Sequence, residues 1–135
     1  MPIEIDYLIA SIVLFIVMIV VQALSSISSQ SLGMLVGPRD DMADKTIFAG
    51  RARRANANMM EGLIMFAPLV LAAAYTDRFN DMTALGAALF FWGRLAFAPS
   101  YWLGLPWIRT LVWGVSVAGI VLVLLQVIPF SKGLS

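Results

Sequence analysis

The chain has no cysteine and no histidine among its 135 residues. The first absence removes disulfides and thiolate catalysis by the protein's own side chains. Any sulfur nucleophile at work here must arrive with a bound molecule. The second removes the commonest metal and haem ligand, so no metal site is assigned and a redox metal centre is not expected. Charge is also scarce. Only 13% of residues are charged and the net charge is +1, against roughly 25% charged in soluble domains. With no basic surface patch, nucleic acid is not an expected partner.

What is abundant is apolar surface: 61% of the residues are hydrophobic. That composition predicts an integral membrane protein, a single all-α four-helix transmembrane domain over residues 1–135. The apolar runs predict helices over about 5–28, 45–75, 82–103 and 106–128, each long enough for a span of about 20 residues. Glu4 and Asp6 precede the first run where a signal peptide would carry Lys or Arg, so this run is expected to be a retained membrane helix. Gln22 is its one strongly polar side chain, best explained by a helix-helix hydrogen bond. A connection over 29–44 contains Gly37-Pro38-Arg39-Asp40-Asp41 turn chemistry. Arg39 there is either a solvated loop charge or a group that reaches back over a site at the membrane surface. Asp44 is the expected N-cap of the second helix. That helix, at about 46 Å, exceeds the hydrocarbon thickness of about 30 Å, so its polar first half should stand in the headgroup zone. Pro68 is expected to kink it. Ala84, Gly86, Ala87 and Ala88 should permit close packing of the third helix. The very short turn Gly104-Leu105-Pro106 makes helices three and four an antiparallel pair, with Pro106 suited to the first helical position. Trp102, Trp107 and Trp113 cluster around it as interfacial aromatics do.

Arg39, Lys45, Arg51, Arg53, Arg54 and Arg109 fall on the side of the 1–2 and 3–4 connections, and only Arg78 and Lys132 on the other. Excess Lys and Arg marks the cytoplasmic side, so both termini are expected outside.

The most polar stretch of the chain runs from Arg51 to Glu61, with the apolar run from Gly62 to Tyr75 directly behind it. On a helix, Arg51, Arg54, Asn58 and Glu61 fall within about 80° of each other. Arg53 and Asn56 fall outside that stripe. A face with two guanidiniums, an amide and a carboxylate is expected to point into the protein. Ordinary positive-inside anchoring is the competing account of the arginines, and the favoured one for Arg53.

Arg94 lies within the third span, spaced three and seven residues from Phe97 and Tyr101. An intramembrane Arg costs about 2.5 to 3.5 kcal/mol on insertion scales. Glu61 is the one carboxylate inside any predicted span, so an Arg94–Glu61 contact or a shared ligand is expected, with a purely structural ion pair as the alternative. Tyr101 alone could be an interfacial aromatic. Arg109 opens the fourth helix, where the macrodipole disfavours cations. It makes sense there if an anion binds, although a lipid phosphate would serve. Dipole and guanidinium together would favour a thiolate. Lowering a thiol from about 8.5 to about 6.5 raises its ionised fraction at pH 7 from a few per cent to about three quarters, for roughly 2.7 kcal/mol. The site so drawn suits a small, polar, net-anionic ligand carrying an ammonium group, with an apolar partner arriving from the bilayer.

Arg54-Ala55-Asn56-Ala57-Asn58-Met59-Met60-Glu61 resembles the Arg-Ala-x-x-Asn-x-x-Glu signature of the MAPEG family, the membrane-associated proteins in eicosanoid and glutathione metabolism. Gly93-Arg94, Tyr101 and Arg109 follow in matching order. The chain looks most like the small bacterial members and is similar to the microsomal glutathione transferase and prostaglandin E synthase group. The resemblance implies a homotrimer in a bacterial inner membrane, with glutathione as cosubstrate bound between subunits near the cytoplasmic face. It implies glutathione-binding roles for Arg54, Asn58 and Glu61, with Arg51 one turn earlier, and for Tyr101; Arg94 joins them through its expected partner Glu61. Arg109 matches the arginine associated with the thiolate, and Thr110 falls where the prostaglandin synthase has a serine, so Arg109 and Thr110 are the catalytic candidates. Ala57 replaces a second glutathione-binding arginine, Phe97 a histidine and Trp113 a tyrosine. These departures argue against prostaglandin synthesis.

The expected function is therefore a glutathione-dependent transferase or peroxidase, the thiolate attacking a lipophilic electrophile or a lipid hydroperoxide. A non-catalytic lipid-binding scaffold on the same fold is the alternative. A small transporter or channel subunit is a third, without an inverted repeat to support it.

Overall fold

A computed structural model of the chain describes residues 2–29 and 47–128. They form four helices: α1 (Ile3–Ser29), α2 (Ile47–Tyr75), α3 (Asp81–Trp102) and α4 (Pro106–Val127). All four are long and apolar enough to cross a membrane. Residues 30–44 of the first connection, with Arg39 and the Asp44 cap, and also Lys45 and Lys132, lie outside the described residues. The helix bounds differ from expectation by a residue or two. Those shifts bring Glu4 and Asp81 inside helices, and Asp6 already fell within the expected 5–28 helix, so Glu61 is not the one helical carboxylate. The other three sit in first turns, where the dipole favours them.

The α2–α3 and α3–α4 connections are short because α2 and α3 each close on a left-handed residue. Asp77 (φ 57°) closes α2, with Arg78 N–H donating to Ala73 O at 2.8 Å and Asp77 N–H to Ala74 O at 3.2 Å. Gly104 (φ 72°) closes α3 in the same way, with Leu105 N–H to Ser100 O and Gly104 N–H to Tyr101 O, both at 3.0 Å. These are Schellman endings, which reverse the chain while satisfying the last carbonyls. Asn80 then caps α3. Its side chain accepts from Met82 and Thr83 N–H, and Thr83 returns the bond to Asn80 N–H, a reciprocal cap of the kind that stabilises a helix start by about 1 kcal/mol.

Helices α3 and α4 form the most extensively packed pair, with α1 laid against α2 and α3. Small residues set the α3–α4 approach. A Cβ at Gly86 would meet Gly119 O at 2.7 Å, and one at Gly119 would fall on Gly86 O. Phe66 of α2 and Phe90 of α3 stack at 4.1 Å in the core. The expected helix-helix role of Gln22 is realised, since Asn56 Nδ2 donates to Gln22 Oε1 at 2.5 Å and ties α1 to α2. At the opposite end Thr83 Oγ1 donates to the buried Glu4 Oε2 at 2.6 Å, and Asn80 Nδ2 donates to Gln126 Oε1 at 2.8 Å. These bonds tie the starts of α1 and α3 to the end of α4. The outer surface is apolar, with exposed Ile9, Ile16, Ile64, Leu71, Leu111 and Val121, as lipid-facing helices require.

Gly119→Val should lower the thermal unfolding midpoint in detergent by the equivalent of about 1–3 kcal/mol, because the helices must part. Gly114→Ala, with nothing within 4 Å of its added Cβ, should leave the midpoint nearly unchanged. Equal behaviour of the two variants would show that the close approach contributes nothing.

Candidate functional site

The polar residues of α2 divide by which side of the helix they occupy. Its buried face runs through Ala52, Ala55, Asn56, Met59, Gly62, Phe66, Val70 and Ala73, mostly small residues spaced three or four apart. The stripe Arg51, Arg54, Asn58 and Glu61 lies along one edge of that face. Arg51 and Asn58 are half-buried, whereas Arg54 and Glu61 are exposed in the single chain. The expectation that the whole stripe points into the protein is therefore corrected: within one chain, half of it points out.

Asn58 looks onto a cleft of about 230 Å³ lined by Asn58, Phe97, Tyr101, Arg109, Thr110 and Trp113. Three helices supply these residues. Asn58 comes from the first half of α2, Phe97 and Tyr101 from the last turns of α3, and Arg109, Thr110 and Trp113 from the first turns of α4. The cleft lies at one end of the bundle because the Gly104 turn sets the end of α3 beside the start of α4. Arg109 Cζ sits 4.8 Å from the centroid of the Tyr101 ring, a cation–π contact of about 0.5–2 kcal/mol. The α4 N-terminus beside it has no side-chain cap, so its first N–H groups and dipole remain available to an anion. Thr110 Oγ1 donates back to Pro106 O at 2.9 Å. Its proton is engaged, leaving the hydroxyl as an acceptor in this rotamer.

The cleft has two unlike halves. Asn58, Tyr101 and Arg109 form the polar one. Phe97 and Trp113 form the apolar one, and Trp113 is exposed in the single chain.

Arg94 does not line the cleft; it lies behind it. It is 2% exposed and the largest fully buried side chain among the described residues. Its Nη1 donates to Asn58 Oδ1. Its Cζ lies 5.6 Å from the Phe90 centroid and 5.3 Å from the Phe97 centroid, so two aromatic faces one turn either side of it flank the guanidinium. Gly62 makes the room, since a Cβ there would meet Arg94 Nη2 at 2.8 Å. The expected direct Arg94–Glu61 contact is not formed among the described residues. Glu61 acts on Arg94 only at longer Coulombic range, and Asn58, one turn nearer the α2 start, takes the hydrogen bond. Two cation–π contacts at about 0.5–2 kcal/mol each and one charged hydrogen bond at about 1.5–3 kcal/mol are of the size needed to offset the insertion cost.

Arg51 also departs from the group. Its guanidinium packs on the α3–α4 turn, where a Cβ at Gly104 would meet Arg51 Cζ at 2.6 Å. Thus Asn58, Tyr101, Arg109 and Thr110 meet at the cleft; Arg94 backs it, Arg51 braces its turn, and Arg54 and Glu61 stand exposed on α2. Sequence reasoning missed Gly62. A glycine directly after the polar stretch, facing a helix with an intramembrane Arg, was the available signal. It also missed buried Glu4 and the Asn80 cap, whose Asn-x-x-Thr spacing was visible.

The model of the MAPEG family matches residues 7–128. No curated protein and no solved structure matches the chain.

Gly104→Ala should lower the unfolding midpoint through both positive φ and displacement of Arg51, by about 1–3 kcal/mol. Adding Arg51→Ala should recover part of that loss and leave the part due to φ. A double variant no better than Gly104→Ala would show that Arg51 does not press on the turn.

Proposed function

The chain belongs to the MAPEG family, a family that includes glutathione-dependent transferases and peroxidases as well as non-catalytic members, and from that premise we propose that this member is a glutathione-dependent membrane enzyme. Its thiolate cosubstrate attacks a lipophilic electrophile or reduces a lipid hydroperoxide. The observation that carries this reading is the two-sided cleft. Arg109, Tyr101 and Asn58 face one half, with the start of α4 one turn before Arg109, and Phe97 and Trp113 face the other.

Each half has a task. Arg109 and the α4 dipole stabilise the sulfur anion, a preorganised electrostatic role. Tyr101 holds the Arg109 guanidinium in place by stacking and offers its hydroxyl to the ligand. Asn58 offers amide hydrogen-bonding groups. Thr110, with its proton engaged, supplies an acceptor oxygen next to Arg109. The aromatic half takes the apolar partner from the bilayer. In conjugation the sulfur lone pair forms the new C–S bond, and the electrophile's leaving group departs or its double bond takes up a proton. The chain has no cysteine, so the cosubstrate supplies every thiol: one for conjugation, and two for hydroperoxide reduction. There the first thiolate takes one peroxide oxygen as a sulfenic acid, the alkoxide leaves as the alcohol after protonation, and a second thiol displaces water to give the disulfide.

The single-chain cleft, at about 230 Å³, is smaller than the roughly 300–1,000 Å³ typical of small-molecule sites. Exposed Arg54 and Glu61 flank it on α2. Both features support a homotrimer in which a neighbouring subunit completes the site, with Arg54, Glu61 and the α2 edge meeting the charged ends of the tripeptide. The basic end of the bundle, with Arg51, Arg53, Arg54 and Arg109, supports a cytoplasm-facing site in an inner bacterial membrane with the termini outside.

Calorimetric titration of glutathione into the detergent-solubilised protein should show saturable binding, weakened by Arg54→Ala and by Glu61→Gln. Arg109→Ala should keep binding within a few fold and lower conjugation turnover by about 10²–10³. Full turnover in Arg109→Ala would remove its assigned role. No binding of millimolar glutathione to the wild type would leave the lipid-binding scaffold as the better account.

A further inference from the structure

We propose that Arg94 is a positioning residue that fixes the amide of Asn58, so that the cleft meets an N–H donor and never the amide oxygen. Donor chemistry fixes which end of the amide faces Arg94. A guanidinium carries five N–H donors and no acceptor. Only Oδ1 of an asparagine can face it, and Asn58 Oδ1 takes the bond from Arg94 Nη1. The Nδ2 group, which has no partner among the described residues, is left for the cleft that Asn58 lines.

The clamp is rigid on every side. Phe90 and Phe97 flank the guanidinium at 5.6 and 5.3 Å. Gly62 lets it lie against α2 where any Cβ would collide with it. The side chain is 2% exposed and its Nε is buried without a partner among the described residues. A buried guanidinium with one strong acceptor holds that acceptor hard, because releasing it would leave a further charged donor unsatisfied in a low dielectric. Phe97 joins this clamp to the cleft itself, since its ring lies 5.4 Å from that of Tyr101, which in turn stacks on Arg109.

The consequence is a selection rule. The ligand group opposite Asn58 must be a hydrogen-bond acceptor, a carboxylate or a carbonyl. A bare ammonium at that position is excluded. This rests on the cleft being the binding site for an anionic thiol, and deepens that reading by assigning which end of the ligand meets Asn58.

The test is a double-mutant cycle with glutathione as the probe, using wild type, Arg94→Met, Asn58→Ala and the double variant. Arg94→Met replaces a buried charge by an apolar chain of similar length, a change that buried charges often tolerate. If Arg94 acts through Asn58, each single change weakens binding about tenfold, and the double variant is no weaker than Asn58→Ala. Losses that multiply to about a hundredfold would mean direct ligand contact and overturn the proposal. Asn58→Asp should bind at least as poorly as Asn58→Ala, although it hands Arg94 a better partner. Wild-type affinity in Asn58→Asp would also overturn it.

A second readout needs no ligand, so failure of the glutathione reading is distinguishable from failure of this one. In ligand-free protein carrying ¹⁵N-asparagine, the Asn58 side-chain signals are identified by their loss in Asn58→Ala. They should move and exchange faster with water in Arg94→Met, and stay near wild type in Arg94→Lys, which retains a donor. Unchanged signals in Arg94→Met would show that Arg94 does not hold the amide. Should the Met variant fail to fold, Arg94→Leu, which likewise has no donor, takes its place with the same expected shift.

Discussion

One guanidinium buried between helices of low dielectric constrains much of this bundle. Arg94 cannot lose its charge cheaply and cannot reach water. The surrounding sequence answers each of its needs in turn. Gly62 gives it space on α2, Phe90 and Phe97 give it π faces, and Asn58 gives it an oxygen. Because the bonded partner is an amide and not a carboxylate, the charge is solvated, and Glu61 offsets it only in part, at longer range. A net positive field therefore remains directly behind the cleft, where Arg109 and the α4 N-terminus already point positive charge. The electrostatics of the cleft thus come from three sources at three depths, and all three favour an anion.

The geometry that brings those sources together is a matter of chain reversal. Gly104 turns α3 into α4 with one residue between the turn and the Pro106 helix start, so the negative end of one helix and the positive end of the next are adjacent. Arg51 resolves that juxtaposition by resting its guanidinium on the turn, at the carboxyl end of α3, where cations are favoured. The same reversal explains the placement of Tyr101 against Arg109. Residues at the last turn of α3 and the first turn of α4 are neighbours whatever their distance in the rest of the bundle. At the far end, the Glu4, Thr83, Asn80 and Gln126 bonds fasten the helix ends, and Asp6, Asp77 and Asp81 stand exposed around them. Cationic chemistry is therefore concentrated at the cleft end, and hydrocarbon dominates the surface between the two ends.

Most of the fold was legible because hydrocarbon length sets a span and apolar runs report it. The four spans, the tight 3–4 turn, the small-residue packing of Gly86 and the helix-joining role of Gln22 all follow from local composition. The gathering of Asn58, Tyr101 and Arg109 was legible from spacing and order. What was not legible was rotation and offset between helices. Spacing places Asn58 and Glu61 on one face equally well, and charge pairing prefers Glu61 for Arg94. The relative height of α2 and α3 decides for Asn58, and nothing local encodes that height. The same reason hides which edge of α2 faces the core. Glu4 was obscured by a helix that begins at Ile3, two residues before the expected start and four before the apolar run.

The edge of α2 that stays uncovered follows from the same packing. Glu61 lies about 10 Å further along the helix axis than Arg54, and both are exposed in the single chain. A carboxylate facing lipid that far from the helix start would cost several kcal/mol. The bundle cannot rotate α2 to hide it, because the opposite edge would then lose Asn56 from Gln22 and Gly62 from Arg94. Burial of the core stripe and coverage of the charged edge are thus incompatible within one chain. The proposed subunit interface resolves that conflict: a neighbouring copy covers Glu61 and Arg54 while Asn56, Gly62 and Phe66 keep their places. On that account the cleft is small in the single chain for the same reason that its edge is charged, since both await the surface that completes them.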